Sequence, residues 1–173
     1  MHIRWLIRRD MPQVLAIESD VFDHPCSEDE FLVHLRERAT IGMVAEIGDI
    51  IVGYMIYGLR PKSLELLNFA VATDYQRTGV GTALLDWMKS KLNIERRTEI
   101  YGGVWERNLR AQQFFRHHGF HCTAILRGEY DESDDDCYLM RYTLTPPDRD
   151  PMPVHPVNRL SQYGAIFDTE ECQ

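Results

Sequence analysis

The sequence predicts a mixed α/β (α+β) fold, a sheet with helices on both faces. Three observations predict it. Strand-like apolar runs and amphipathic stretches follow one another in the order β-α-α-β-β-β-α-β-α-β-β. Residues 41–47 and 50–57 are strand-like runs joined at Gly48-Asp49, the spacing of a hairpin. The apolar run 64–71 leads through Gln76-Arg77-Thr78-Gly79-Val80-Gly81-Thr82 into a helix and then another strand, the order of a right-handed parallel crossover.

Each element has its own signal. Residues 3–8 read as a first strand. Asp10 then suits a helix N-cap, with Pro12 in the first turn and Gln13 at the capping-box position. Val14, Ile17 and Val21 form that helix's apolar stripe. Asp23-His24-Pro25-Cys26 breaks it. Ser27-Glu28-Asp29-Glu30 is a second capping box and opens a helix carrying Phe31, Leu32 and Leu35. After the hairpin and the run 64–71, Leu84, Leu85, Met88 and Leu92 mark a helical stripe. Residues 98–104 read as a strand, and 108–118 as a short helix with Phe114 and Phe115 buried and Gly119 as its left-handed stop. Residues 120–126 and 137–144 read as a closing antiparallel pair around the acidic run 131–136. From residue 145 prolines crowd in and periodicity fades. The expected organisation is one domain over 1–144 and a Pro-rich extension over 145–173, with Tyr163, Ile166 and Phe167 as candidate anchors.

Composition narrows the function. The 173 residues are 44% hydrophobic, enough for a core, and no apolar run nears the ~20 residues of a membrane span. The N-terminus has no signal-peptide pattern, so a cytoplasmic protein is expected. Cys26, Cys122, Cys137 and Cys172 are scattered, which speaks against a zinc site or disulfide framework. Nineteen basic against 27 acidic residues, net −8, argues against nucleic-acid binding. The acidic balance favours a basic partner or substrate, no membrane or metal is expected, and monomer or dimer is left open.

The stretch 76–82 carries the chemistry. A strand, a glycine-bearing loop and a helix start make an anion site, because the first-turn N–H groups are unpaired and the dipole is positive there. Glycines let a phosphate approach the backbone. An ordinary strand-to-helix turn has the same glycines, so the rest of the chain must decide.

It does so by resemblance. Gln76-x-x-Gly79-x-Gly81, the strand Asn68-Phe69-Ala70-Val71 before it, and Asn108 through Gly119-Phe120 resemble the GNAT superfamily of acyl-CoA-dependent N-acyltransferases over about residues 3–144. Among these, the chain is most similar to the ribosomal-protein alanine N-acetyltransferases. His24-Pro25-Cys26-Ser27-Glu28 resembles their substrate-side loop, with Cys26 where an aromatic residue is usual. The resemblance implies a mixed, mostly antiparallel sheet, acetyl-CoA as co-substrate, and an amine acceptor such as a protein N-terminus. It implies that Arg77, Thr78, Gly79, Val80, Gly81 and Thr82 hold the pyrophosphate with their backbone, and that Phe69, Ala70 and Val71 hold the pantetheine arm. Gln76 belongs to the loop motif, and Asn108 is either an N-cap or a further cofactor contact.

One departure matters. The positions matching the subfamily's general base and general acid are Gly103 and Phe115, and neither transfers a proton. Replacements named from the sequence are Tyr130 for substrate contact, and Glu65 or Tyr101 for the base. Tyr101 shares a strand face with Gly103, and Glu65 is expected to share one with Leu67 and Phe69. Each of these reads first as a solvated or core side chain and only second as a catalytic one. The acidic run 131–136 is either a solvated hairpin tip or an attractor of basic peptides or polyamines, and an acyl-CoA-binding module without turnover is a further alternative.

Overall fold

A computed structural model describes residues 1–127 and 136–145. The elements are β1 (His2–Trp5), α1 (Met11–Val21), α2 (Glu28–Arg36), β2 (Thr40–Ile47), β3 (Ile50–Leu59), β4 (Ser63–Val71), α3 (Val80–Lys89), β5 (Glu99–Trp105), α4 (Leu109–His117), β6 (His121–Leu126) and β7 (Cys137–Thr143). The order is the expected one. The strands form one sheet, β1-β2-β3-β4-β5-β7-β6, in which β4–β5 is parallel and the other pairs are antiparallel. Of the extension expected over 145–173, residues 146–173 lie outside the described residues.

Alternation in the strands feeds two cores. Val80, Leu84, Leu85 and Met88 of α3 and Phe115 of α4 pack on Met43, Val52, Met55, Tyr57, Leu64 and Ile100. On the opposite face Met11, Val14 and Ile17 of α1 and Phe31 of α2 pack on Val44, Tyr54, Ile56 and Ala70. Helices therefore cover both faces, as the sequence predicts.

Two local expectations are corrected. Asp10 stands at the N-cap position of α1, but its side chain makes no cap hydrogen bond. Its carboxylate accepts from the Ile7 N–H at 2.9 Å and from Arg4 Nη1 and Nη2 at 2.7 and 2.9 Å, and Arg4 also donates to Glu46. Gln13, expected in the capping box, instead accepts from the Ile51 N–H at 2.9 Å, tying α1 to β3. A charged partner, and a β3 amide beyond the last β3–β4 pair, outcompete the helix start for these side chains. The second box holds: Ser27 Oγ accepts from Glu30 N, and Glu30 accepts from Ser27 N.

The second correction is in β4. Register pairs Tyr57 with Leu66 but Ile56 with Asn68, so Leu67 is an extra residue, a β-bulge. The bulge reverses the alternation. Glu65 lies on the Asn68 and Ala70 face, the α1/α2 side, and not on the Phe69 face where strict period two puts it.

Candidate active site

A notch opens where β4 and β5 part. They pair from Ser63↔Glu99 to Leu66↔Gly102, after which β5 continues with β7 alone and residues 67–71 continue with β3 alone. The Ala72 N–H bonds to Val52 O on β3. Strand alternation therefore turns the Ala70 backbone to β3 and the Phe69 and Val71 backbones into the notch. The Ala70 side chain is buried, 3% exposed. Extended backbone with free amides is what an amide-bearing chain such as pantetheine pairs with.

The glycine loop stands at the outer end of this notch. Gln76 Nε2 donates to Val71 O at 3.1 Å, and Thr78 Oγ1 donates to Tyr75 O, so both side chains brace the loop. Gly79 has φ 93°, and Arg77 has φ 63°, the single non-glycine residue with positive φ among the described residues. Such backbone costs energy for an L-residue and is held by its surroundings. Gly79 is the N-cap of α3, and the first N–H to bond back is that of Ala83, to Gly79 O at 3.0 Å. The first-turn amides of Val80, Gly81 and Thr82 are the free donors of the helix end. A methyl on Gly79 would meet no heavy atom within 4 Å, whereas one on Gly81 would stand 3.3 Å from the Phe114 ring. The open side of the loop fits a phosphate and the closed side is packing. Thr82 Oγ1 lies 3.1 Å from Nε2 of His118, a contact the sequence did not suggest. Asn108 caps α4, its Oδ1 accepting from the Ala111 N–H at 3.0 Å, which leaves its Nδ2 for any second role.

The usual proton-transfer positions are structurally filled by other chemistry. Phe115 is 6% exposed and packs on Phe69, Phe114 and Phe120. A Cβ on Gly103 would lie 2.7 Å from Cys137 Sγ, so glycine is what this thiol permits. The named replacements come together in part. Glu65 and Tyr101 are cross-strand partners. Arg60 ion-pairs with Glu65, donating from Nε at 2.6 Å, and its guanidinium pKa is raised by Glu65 first and then by Tyr101. Both groups are thus engaged by a cation. Tyr130 lies outside the described residues, as does the acidic run apart from Asp136.

A second polar cluster went unnoticed in the sequence. Glu18 is 2% exposed, and its carboxylate accepts from the Cys26 N–H (3.0 Å), from Asn68 Nδ2 (3.3 Å) and from the Tyr54 hydroxyl. It joins α1, the loop before α2, β3 and β4 immediately beyond the bulge. Cys26 and Asn68 line a pocket of about 40 Å³ with Phe31, His34, Ile56 and Leu67. Burial and the Glu18 charge push the Cys26 thiol up to about 11, so it stays protonated and unreactive. The signal was present: Glu18 stands at the i+4 position from Val14 on an otherwise apolar stripe.

Comparison with known proteins agrees with this geometry. Residues 38–122 match the acetyltransferase (GNAT) domain. The N-alpha-acetyltransferase of Sulfurisphaera tokodaii is 30% identical over 148 residues, covering 78% of this chain and 88% of that protein. The [ribosomal protein bS18]-alanine N-acetyltransferase of Escherichia coli is 28% identical over 138 residues, covering 79% and 93%. The crystal structure of the ribosomal-protein-S18-alanine N-acetyltransferase from Escherichia coli shares the fold, with a TM-score of 0.75 at 23% identity over 87% of this chain and 98% of that one. Notch, glycine loop and sequence relatives together make the chain an acyltransferase of the GNAT acetyltransferase family.

Proposed function

We propose that the chain transfers the acetyl group of acetyl-CoA to the α-amine of a protein or peptide N-terminus, by direct attack in a ternary complex. The observation that carries this reading is the parting of β4 from β5 beside a glycine-loop helix start. Relatives named for N-terminal and ribosomal-protein-alanine acetylation support the choice of acceptor.

The residues divide the work. Backbone amides from Arg77 to Thr82 hold the pyrophosphate, with the Arg77 side chain neutralising charge and Thr82 adding its hydroxyl. Phe69 and Val71 amides bind the pantetheine arm, and one of them polarises the thioester carbonyl. Asn108 Nδ2 is a further cofactor contact. Acetyl-CoA, when bound, supplies the activated thioester, and holding an amine against it accounts for a large part of the acceleration. No side chain at Gly103 or Phe115 takes or gives a proton, so the acceptor's own acidity matters. With a pKa near 7.7, about a third of an α-amine is neutral at pH 7.4, whereas a lysine amine near 10.4 is almost wholly protonated.

The test is thiol release from acetyl-CoA against a peptide array with free N-termini and, separately, spermidine. Release with peptides is expected. Product with spermidine alone would overturn the acceptor class, and tight acetyl-CoA binding without release to any amine would overturn turnover itself.

A further inference from the structure

The cluster around Glu18 is short of one proton. Tyr54, fully buried, has a single hydroxyl hydrogen and two acceptors in reach, a Glu18 carboxylate oxygen and Asn68 Oδ1 at 3.1 Å. A carboxylate is the stronger acceptor and takes it. Burial, and then the hydrogen bond to Glu18, raise the Tyr54 pKa, so the hydroxyl keeps its proton to share. The Asn68 amide cannot turn round, because its NH2 group faces both Glu18 oxygens, at 3.3 and 3.5 Å. A flipped amide would set oxygen against carboxylate. Asn68 Oδ1 is therefore an acceptor without a hydrogen, on a residue lining the pocket with Cys26 and Leu67. A half-buried acceptor in this state is open to a donor from water or from a ligand entering the pocket.

Its position says which donor. The notch closes at Leu66↔Gly102, where β4 and β5 rejoin, and Asn68 is two residues from that closure. A pantetheine arm running inward from the loop along Val71 and Phe69 ends there. Asn68's side chain points to the α1/α2 face, opposite Phe69, so it meets whatever approaches the thioester from that side. Among the described residues no lysine, arginine or histidine is ion-paired to Glu18, so the buried charge behind the amide favours a cation in front of it.

We propose that Asn68 is an acceptor-binding residue: its Oδ1, oriented by Glu18, receives an N–H of the amine to be acetylated and holds the nitrogen at the closed end of the notch. Glu18 is then a positioning residue. The inference rests on the reading of the chain as an amine acetyltransferase, but concerns the nitrogen and not the rest of the acceptor.

The experiment uses whichever amine the wild-type chain acetylates, so inactivity of the wild type on peptides counts against the peptide reading alone. For Asn68→Ser the acceptor KM is expected to rise about tenfold or more, the loss of one hydrogen bond to a charged group. Calorimetric acetyl-CoA Kd should stay within about twofold, since no bond to the donor is lost. An unmoved acceptor KM, or acceptor KM and acetyl-CoA Kd rising together, overturns the proposal. A second variant guards against misfolding. In Glu18→Gln/Asn68→Asp the amide and carboxylate exchange places, Gln donating to Asp, and a charged oxygen faces the amine. That protein should bind the acceptor at least as well as wild type. If it melts like wild type yet shows the raised acceptor KM of Asn68→Ser, the proposal fails.

Discussion

Gly79→Ala separates strain in the glycine loop from contact with the donor. Gly79 sits at φ 93°, ψ −3°, and an added methyl would have no neighbour within 4 Å. The whole cost in the free protein is thus conformational, about 1–2 kcal/mol for an L-residue in left-handed backbone. For a chain of this size that corresponds to a fall in Tm of about 2–8 °C. If the variant loop relaxes away from this conformation, binding must restore it, and the same energy appears as an acetyl-CoA Kd about fivefold to thirtyfold weaker. Gly48 provides the control. It has φ 62° and an equally open Cβ position, at the β2–β3 turn. Gly48→Ala should lose a similar amount of stability and keep the wild-type Kd. The assays are thermal melting by circular dichroism and isothermal calorimetry. The energy appears once, in Tm if the loop keeps its conformation and in Kd if it relaxes, so a Gly79→Ala protein that melts like wild type and also binds acetyl-CoA like wild type would refute the reading of a strained loop that holds the donor.

Three other outcomes are expected. With no protein base, log kcat/KM should climb with unit slope below pH ~7.7 and level above it, following the free α-amine; a plateau set at much lower pH would point to a base on the protein. Asp10→Ala should cost about 2–4 kcal/mol in urea unfolding, less than an isolated buried pair because Arg4 keeps Glu46. The hydrogen bond from Arg4 is the main cause holding the Asp10 carboxyl below the usual carboxylate range. A depressed carboxylate stabilises above its unfolded pKa and loses this as it protonates, so wild-type Tm should drop below about pH 4 more steeply than that of Asp10→Ala. Gly103→Ala should destabilise by about 1–3 kcal/mol, because its methyl meets Cys137 Sγ. Cys137→Ala should relieve most of that loss, and additive effects in the double-mutant cycle would show that the thiol is not what excludes a side chain there.

Much of this protein is local information. Hydrophobic period, Gly48, the Ser27 capping box and the glycine loop each act within a few residues. So the element order, the two-sided sheet and the glycine loop at the start of α3 were legible in the sequence alone. The family resemblance likewise rests on contiguous motifs. What tertiary structure decided is long-range. The side chains of Asp10 and Gln13 turn away from the helix start because Arg4 of β1 and the Ile51 amide of β3 offer better partners. The Leu67 bulge exists only against β3, and it moved Glu65 from the face that strict alternation predicts. Arg60 then claimed it. The Glu18 cluster gathers residues up to 50 positions apart. A buried carboxylate is costly without donors, and which donors reach it is settled only when four elements meet. The sequence by itself determined where the proposed donor loop lies. The packing of α1 and the Cys26 loop against β3 and β4 decided what lines the proposed acceptor side.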